Sequence, residues 1–288
     1  MKYGIVDIGS NTVVLVIYGT AGTVPEVLYY ESDPVRLVSY NTGGHISQEG
    51  IERTCTTLRR YREILQTEQV DSFGAFITEP ARRIDNKEEM LASFRDAGFN
   101  VQALSGREEA EYDFEGSRLY NPDIVSGNAF DVGGGSTELI SFRDGRILDA
   151  VSLPYGCVRL LQNETNAAEI NDILMDAFRQ NPLLQAVTSD TMVGIGGTCR
   201  AAGQVCDRIF GTGKVMYRRD LGTLYRRLND YDPKTTEIMH DTVSRGRWEV
   251  FMPGVRMIMG ILWAYNAEKV IISEGGVREG FLMKQIQK

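Results

Sequence analysis

An internal echo constrains this chain more than any other feature. The segments "GIVDIGSNTVVLVI" (4–17) and "AFDVGGGSTELISF" (129–142) share one grammar: apolar residues around an aspartate, a polar glycine turn, then apolar residues again. Each reads as a strand, a tight turn and a returning strand. Asp7 and Asp131 stand 124 residues apart, which is domain-sized and argues for two similar domains rather than a solenoid. The run "VVLVIY" is continuously apolar, as expected of a strand buried on both faces.

Between and after the echoes, strand and helix signals alternate. "ISQEGIERTCTTLRRYREILQTEQ" carries Ile51, Cys55, Leu58, Arg62 and Leu65 at helical spacing and predicts a surface helix. "FGAFIT" and "NVQAL" read as strands, and "KEEMLASFRDAG" as a helix ended by Gly98. In the second half "NAAEINDILMDAFRQ" predicts a helix, "TMVGIGG" a strand entering the helix "TCRAAGQVCDRIF", "GVRMIMGILWAYNA" a helix, "KVIIS" a strand, and "REGFLMKQI" a closing helix. This alternation predicts an α/β fold of two similar lobes with a ligand cleft between them. The lobes are expected over 1–125 and 126–288, with the last helix packing back on the first lobe.

Composition removes several function classes. With 288 residues, 42% of them hydrophobic, the chain can build two cores. A net charge of −8 opposes non-specific binding to nucleic acid or membrane surfaces. Four cysteines without a CxxC pair and two histidines argue against a zinc site and for a reducing cytoplasm. The first residues read as strand and turn rather than a signal peptide, and no apolar run is long enough to span a membrane. The sequence leaves oligomeric state open, a homodimer included.

Three turns suit phosphate. Successive N–H groups in a glycine turn form a concave anion nest, and glycine also permits positive φ. Gly133, Gly134, Gly135, Ser136 and Thr137 form one such turn, and Gly9 to Thr12, with Ser10 and Asn11, form another. The plainer alternative for each is an ordinary hairpin. A third element, "GIGGTCRAA", sets Gly196, Gly197 and Thr198 at a helix N-terminus, where free N–H groups and the helix dipole favour anions. None of the three matches the GxxxxGK[ST] or GxGxxG patterns.

The carboxylates divide by role. In "ALSGREEAEYDFEGS", Ser105 is a good N-cap and Glu108 stands three residues on, which predicts a capping box. Glu109 is turned about 100° from Glu108 on the same helix, so the capping role leaves it free for the cleft. A solvated helix face is the alternative for Glu109. Asp7 and Asp131 enter the glycine turns and Glu138 follows the second. Such oxygen donors suit magnesium, which takes one or two carboxylates plus phosphate oxygens and waters. Hydrogen bonding that starts a turn is the alternative for each aspartate.

Eight segments in order resemble the exopolyphosphatase/guanosine-pentaphosphate phosphohydrolase family: "DIGSNTVVLVI", "TEPARRIDN", "SGREEA", "DVGGGSTEL", "SLPYGCVRL", "GIGGTCRA", "FMPGVRMIMGIL" and "SEGGVREGFL". That family belongs to the actin-like, ribonuclease H-like and sugar-kinase superfold. The resemblance implies hydrolysis of a terminal phosphoanhydride bond by water, with magnesium or manganese and room for a monovalent cation such as potassium. It implies Glu109 as catalytic base and Asp131 and Glu138 as acidic groups around metal and attacking water. It also implies Gly133 to Thr137 and, opposite, Ser10, Asn11 and Thr12 as phosphate loops, and Arg82 as an arginine facing the phosphates. Without the family, Arg82 and Arg83 read as a solvated charge pair.

The chain departs from the family pattern in places. Glu79 replaces a small residue and would weaken phosphate binding or set chain-length preference. Gly246 stands where longer members carry an acidic residue before Arg247. Those members also continue beyond the second lobe. His240-Asp241 reads as structural. The expected substrates are inorganic polyphosphate, short chains favoured, or a guanosine penta- or tetraphosphate, and the candidate phosphate-facing arginines are Arg36, Arg82 and Arg159. Two rival readings are an ATP-dependent kinase of the same superfold and a non-catalytic alarmone or nucleotide sensor.

Overall fold

The computed structural model describes residues 1–79, 82 and 84–286. In chain order the elements are β1 (Lys2–Ile8), β2 (Val13–Gly19), β3 (Glu26–Asp33), β4 (Asn41–Thr42), β5 (His45–Ile46), α1 (Gln48–Thr67), β6 (Ser72–Ile77), α2 (Lys87–Asp96), β7 (Val101–Ala103) and α3 (Gly106–Tyr120). Then come β8 (Gly127–Val132), β9 (Thr137–Arg143), β10 (Arg146–Leu153), α4 (Cys157–Gln162), α5 (Ala167–Gln180), β11 (Thr191–Ile195), α6 (Gly196–Phe210) and β12 (Val215–Tyr217). The chain ends with α7 (Arg218–Asn229), α8 (Pro233–Thr242), α9 (Trp248–Ala264), β13 (Lys269–Ile272) and α10 (Val277–Ile286).

The chain divides into two compact units, Met1–Glu109 with Arg278–Lys288, and Ala110–Val277. The sheet of the first has the order β3-β2-β1-β6-β7, and that of the second β10-β9-β8-β11-β13-β12. In each, a three-stranded antiparallel meander (β1 to β3, β8 to β10) continues into parallel strands through the first strand of the meander. The first five positions therefore repeat, with β12 added antiparallel to β13 in the second unit. This is the pair of similar α/β lobes that the internal echo predicts.

The sequence reading divides the chain at 125/126, whereas the units divide inside α3. The cause is packing: Ala110 and Phe114 of that helix share a core cluster with Ala129, Ile140 and Phe142 of the second sheet. Most of α10 belongs to the first unit. Its Phe281 ring stands 4.8 Å from that of Phe76, and Tyr18 donates its hydroxyl to the buried Glu279 carboxylate.

Local signals explain most boundaries. Ser47 caps α1 by accepting the Gly50 N–H, and α1 buries Ile51, Cys55, Leu58, Tyr61 and Leu65 while Arg62 lies over the Phe73 ring. The penultimate helix begins at Trp248, not after Pro253 as the proline suggests in sequence. Pro253 is the sixth residue of α9, so only one backbone bond is lost, and its ring is buried. Among the described residues no helix is long and apolar enough to cross a membrane, and all four cysteines are free and buried.

Phe281→Ala is expected to destabilise the first unit by about 3 kcal/mol, since truncating a buried phenylalanine removes both its transfer energy and its packing. Urea unfolding followed by circular dichroism reads the loss; an unchanged midpoint would show that α10 does not anchor through this ring.

Candidate active site

The glycine turn between β8 and β9 is built from its carbonyl side. Gly133 donates its N–H to the Ser136 carbonyl (2.9 Å) and closes the turn. The Gly133 and Gly134 carbonyls then accept the N–H groups of Cys157 and Val158, both at 2.9 Å. Those donors belong to the first turn of α4, which has no helical acceptors for them. Among the described residues no protein acceptor meets the N–H groups of Gly134, Gly135 or Ser136.

The turn's glycines do not use positive φ, and the tight contact lies at Gly156 instead. None of Gly133, Gly134 and Gly135 has a left-handed φ. The constraint is contact: a Cβ on Gly156 would strike the backbone of Gly134 and Gly135, because α4 begins directly against the turn.

The carboxylates beside this turn form a row. Asp131 on β8 pairs with Glu138 on β9, which pairs with Ser152 on β10. Residues opposed in an antiparallel ladder point to one face, and like charges so placed repel unless a cation or proton lies near. Glu138 is buried, and its Oε1 accepts the Ser152 hydroxyl at 2.6 Å. Asp131 leans over the start of α6, where Gly196 has φ +80° and a Cβ would meet the Asp131 carboxylate. These hard, paired oxygens fit magnesium, which Asp131 and Glu138 would hold and which would neutralise phosphate charge. Among the described residues no group of three or more His, Cys, Asp or Glu side chains forms a ligand set, as a magnesium site with one or two carboxylates does not require one.

Thr137 is fully buried and donates its hydroxyl to the Tyr155 carbonyl at 2.7 Å, a bracing contact for the turn. Gly197 and Thr198 open α6. Arg247 covers Gly197 so closely that a Cβ there would meet its guanidinium. Burial pushes the Cys157 thiol up, while Arg247 and the Thr198 hydroxyl pull it partly back. A cation over the positive end of a helix is unfavourable in isolation, which makes Arg247 a further anion-binding candidate. The sequence reading passed over it because "SRGRWE" has no periodicity or spacing that sets Arg247 apart from Arg245. His240 stacks on Trp248 at 4.0 Å, a packing role.

The first unit repeats the turn with different side chains. Gly9 donates to the Thr12 carbonyl (2.9 Å), and the Ser10 and Asn11 carbonyls accept the N–H groups of Val38 (3.1 Å) and Arg36 (2.8 Å). Asp7 pairs across with Val14, and Val14 with Ser32, so a valine stands where the second unit has Glu138. Asp7 lies 3.8 Å from Arg278. Burial lowers the pKa of that guanidinium, but the charges of Asp7 and Glu279 more than offset it. Asp7 thus belongs to an ion pair in the first unit, while Asp131 and Glu138 belong to the second. Ser10 is buried and donates to the Glu79 carboxylate at 3.3 Å.

Helix α3 begins as a capping box. Glu108 donates its N–H to Ser105 Oγ (3.2 Å), and its Oε2 accepts the Ser105 N–H (2.8 Å). Those bonds hold the Glu108 carboxyl below its ordinary range. Glu109 is thereby free of the cap, and its carboxylate pairs with Arg82, whose Nε also donates to the Leu104 carbonyl at 3.2 Å. Arg83 lies outside the described residues.

The chain is thus built from two α/β units of one topology, each opening its first strand into a braced polar turn, with acidic side chains beside the second. The sequence pattern of the Ppx/GppA phosphatase family matches residues 16–288, and the chain belongs to that family. Guanosine-5'-triphosphate,3'-diphosphate pyrophosphatase of Photobacterium profundum is 26% identical over 99% of this chain and 59% of its own length. Exopolyphosphatase 1 of Mycobacterium bovis is 26% identical over 99% of this chain and 88% of its own. The chain thus spans less than two thirds of the first relative and most of the second. Among solved structures, an exopolyphosphatase from Cytophaga hutchinsonii superposes with a TM-score of 0.87 at 21% identity, over 100% of this chain and 98% of that one. A Ppx/GppA family member from Aquifex aeolicus gives 0.80 at 22% identity, with the same coverage of both chains. These likenesses show the fold.

Because the Glu108 carboxyl is depressed in the folded protein, the cap stabilises above the ordinary carboxylate range and loses its effect as pH falls through the depressed value. Glu108→Gln should therefore lower the urea midpoint at pH 7 and leave it near wild type at pH 3. An equal deficit at both pH values would refute the charged cap.

Proposed function

We propose that this protein hydrolyses the terminal phosphoanhydride bond of inorganic polyphosphate or of guanosine pentaphosphate. The observation that carries the reading is the β8–β9 turn, where the N–H groups of Gly134, Gly135 and Ser136 meet no acceptor among the described residues while Asp131 and Glu138 stand opposed beside it. The names of the Photobacterium and Mycobacterium relatives point the same way.

In the proposed reaction Gly134, Gly135 and Ser136 donate to phosphate oxygens, with Gly197, Thr198 and Arg247 as further donors. Ser10, Asn11 and Thr12 offer the equivalent turn of the first unit. A magnesium ion held by Asp131 and Glu138 would spread the charge that develops on the phosphoryl oxygens. Glu109, oriented by Arg82, accepts a proton from the attacking water. The new oxygen–phosphorus bond forms as the bond to the bridging oxygen breaks, releasing orthophosphate and a chain shorter by one unit. An arriving phosphate offers Arg82 a second anion and loosens its hold on Glu109. The setting is a cytoplasmic one, in keeping with four buried free thiols.

Glu109→Gln should reduce turnover by about 10²–10⁴-fold while leaving substrate binding nearly intact, the usual scale for losing a general base. Phosphate release from polyphosphate, guanosine pentaphosphate and ATP, each with and without magnesium, checks both the residue and the reaction. A variant with near-wild-type kcat would remove Glu109 from the mechanism. ATP-dependent labelling of an acceptor would favour a kinase, and binding without turnover a sensor.

The reading extends to chain length. An acidic chain with few candidate arginines, Arg36, Arg82 and Arg159, has little with which to hold a long polyanion. Short chains should be preferred, and long ones cleaved distributively. On a gel time course in substrate excess the whole population should shorten gradually. Full-length chains persisting beside released phosphate would contradict it.

A further inference from the structure

Helices α6, α7 and α8 pack on one another in the second unit, and Cys206, Leu224, Leu228 and Met239 join them in one core cluster. The three helices also line a cavity of about 430 Å³. That volume lies within the roughly 300–1,000 Å³ of small-molecule sites. Each helix brings one cation to the wall: Arg208 from α6, Arg227 from α7 and Lys234 from α8. The one acid on the wall, Asp232, caps α8 by accepting the Thr235 N–H at 2.9 Å. Hydrogen bonds from Thr235, with the charges of Arg227 and Lys234 as smaller causes, hold its carboxyl below the ordinary range. Neither cation is close enough to pair with it, and among the described residues none of the three cations forms an ion pair. Three cations and one carboxylate leave the wall at +2, in a chain whose net charge is −8.

Helix electrostatics accounts for two of these cations and not for the third. Arg208 and Arg227 stand in the last turns of α6 and α7, where the dipole favours positive charge. Lys234 stands in the first turn of α8, where the dipole opposes it. Both guanidinium groups are held in place. Arg208 donates to the Thr242 hydroxyl at 3.0 Å, and Arg227 lies over the Phe210 ring, 5.7 Å from its centre. Donors already held lose less freedom when a ligand arrives. Guanidinium forks match phosphate oxygens, and an ammonium group adds a compact point charge. The tetrahedral oxygens of a phosphate diverge and can meet donors on three walls, whereas a carboxylate is planar. The volume and the +2 wall call for more than one phosphoryl group. The cavity is also separate from the glycine turn. Arg208 is twelve residues beyond Gly196, so it stands about 18 Å along α6 from the end that opens beside Asp131.

We propose that the cavity between α6, α7 and α8 is a second anion site, which takes a free, compact phosphate anion of the size of pyrophosphate. The site stands on its own residues and does not depend on the hydrolase reading.

The test is calorimetric titration of the full chain with pyrophosphate, in magnesium-free buffer at about 0.15 M ionic strength. Arg227→Gln and Lys234→Gln should each weaken binding about three- to fivefold, the scale of one exposed charge pair, and the double variant about tenfold or more. Arg179→Gln, an exposed residue of the same unit with the same loss of charge, should stay within about twofold of wild type. Arg247→Gln, at the other end of α6, should keep the binding component that the double variant loses. Lys234→Gln removes a charge that the helix dipole opposes, so its urea midpoint should not fall below wild type, and weaker binding there is not unfolding. Citrate, built from carboxylates, should bind more weakly than pyrophosphate. No binding by wild type up to millimolar pyrophosphate would overturn the proposal, as would a double variant that binds like wild type or an equal loss in Arg179→Gln. Tighter binding of citrate would overturn the phosphate assignment. A loss confined to long polyphosphate, with pyrophosphate affinity unchanged, would overturn the free anion and give the three cations to the far end of a chain held at the glycine turn.

Discussion

The structure depends on a backbone contact that no side chain makes. In each unit the first strand ends in a turn whose two middle or leading carbonyls are taken by N–H groups of a segment that follows the meander: Cys157 and Val158 in one, Arg36 and Val38 in the other. Those donors come from segments entering a helical turn, where N–H groups have no local acceptor. The contact satisfies both partners at once and turns the peptide N–H groups of the glycine loop away from internal bonds. An anion nest is costly to preform, because several N–H dipoles must point the same way. Here that cost is offset by bonds on the opposite side of the same peptides, which hold the turn whether or not anything is bound. The proximity of Gly156 to Gly134 follows from the same arrangement, since the helix must begin against the turn for its first N–H groups to reach the carbonyls.

Much of this was legible in the sequence because it lies in local patterns. The echo around Asp7 and Asp131, the alternation of strands and helices, and the Ser105–Glu108 box all depend on neighbours a few residues apart, and each has its counterpart in the structure. What was not legible depends on distance. The meander strands β3 and β10 escaped notice because "EVLYYESD" and "RILDAVSL" are mixed in polarity, as edge strands are, and are identified by their partners. Helices α7 and α8 are amphipathic but short, and the arginine-rich polar face of α7 resembles a loop by composition. The engagement of Asp7 by Arg278 joins residues at opposite ends of the chain, and nothing local announces it. Arg247 and Glu79 belong to the same class: their positions become meaningful only once strand register fixes what stands beside them.

Duplication gives two copies of a scaffold, and the charges decide what each copy can do. The row Asp131–Glu138–Ser152 and the row Asp7–Val14–Ser32 occupy the same rungs of the same ladder. In the first unit the valine removes one carboxylate, and Arg278, delivered by the last helix, compensates the other. In the second unit two carboxylates stand opposed on one face, and the hydroxyl of Ser152 meets one oxygen of Glu138. Such a pair is destabilising on its own and becomes favourable with a cation between phosphate and protein. The equivalent aspartates thus face different partners, an arginine in the first copy and a glutamate in the second. The difference traces to residue 138 and to where the chain brings Arg278, not to any change in the turn itself.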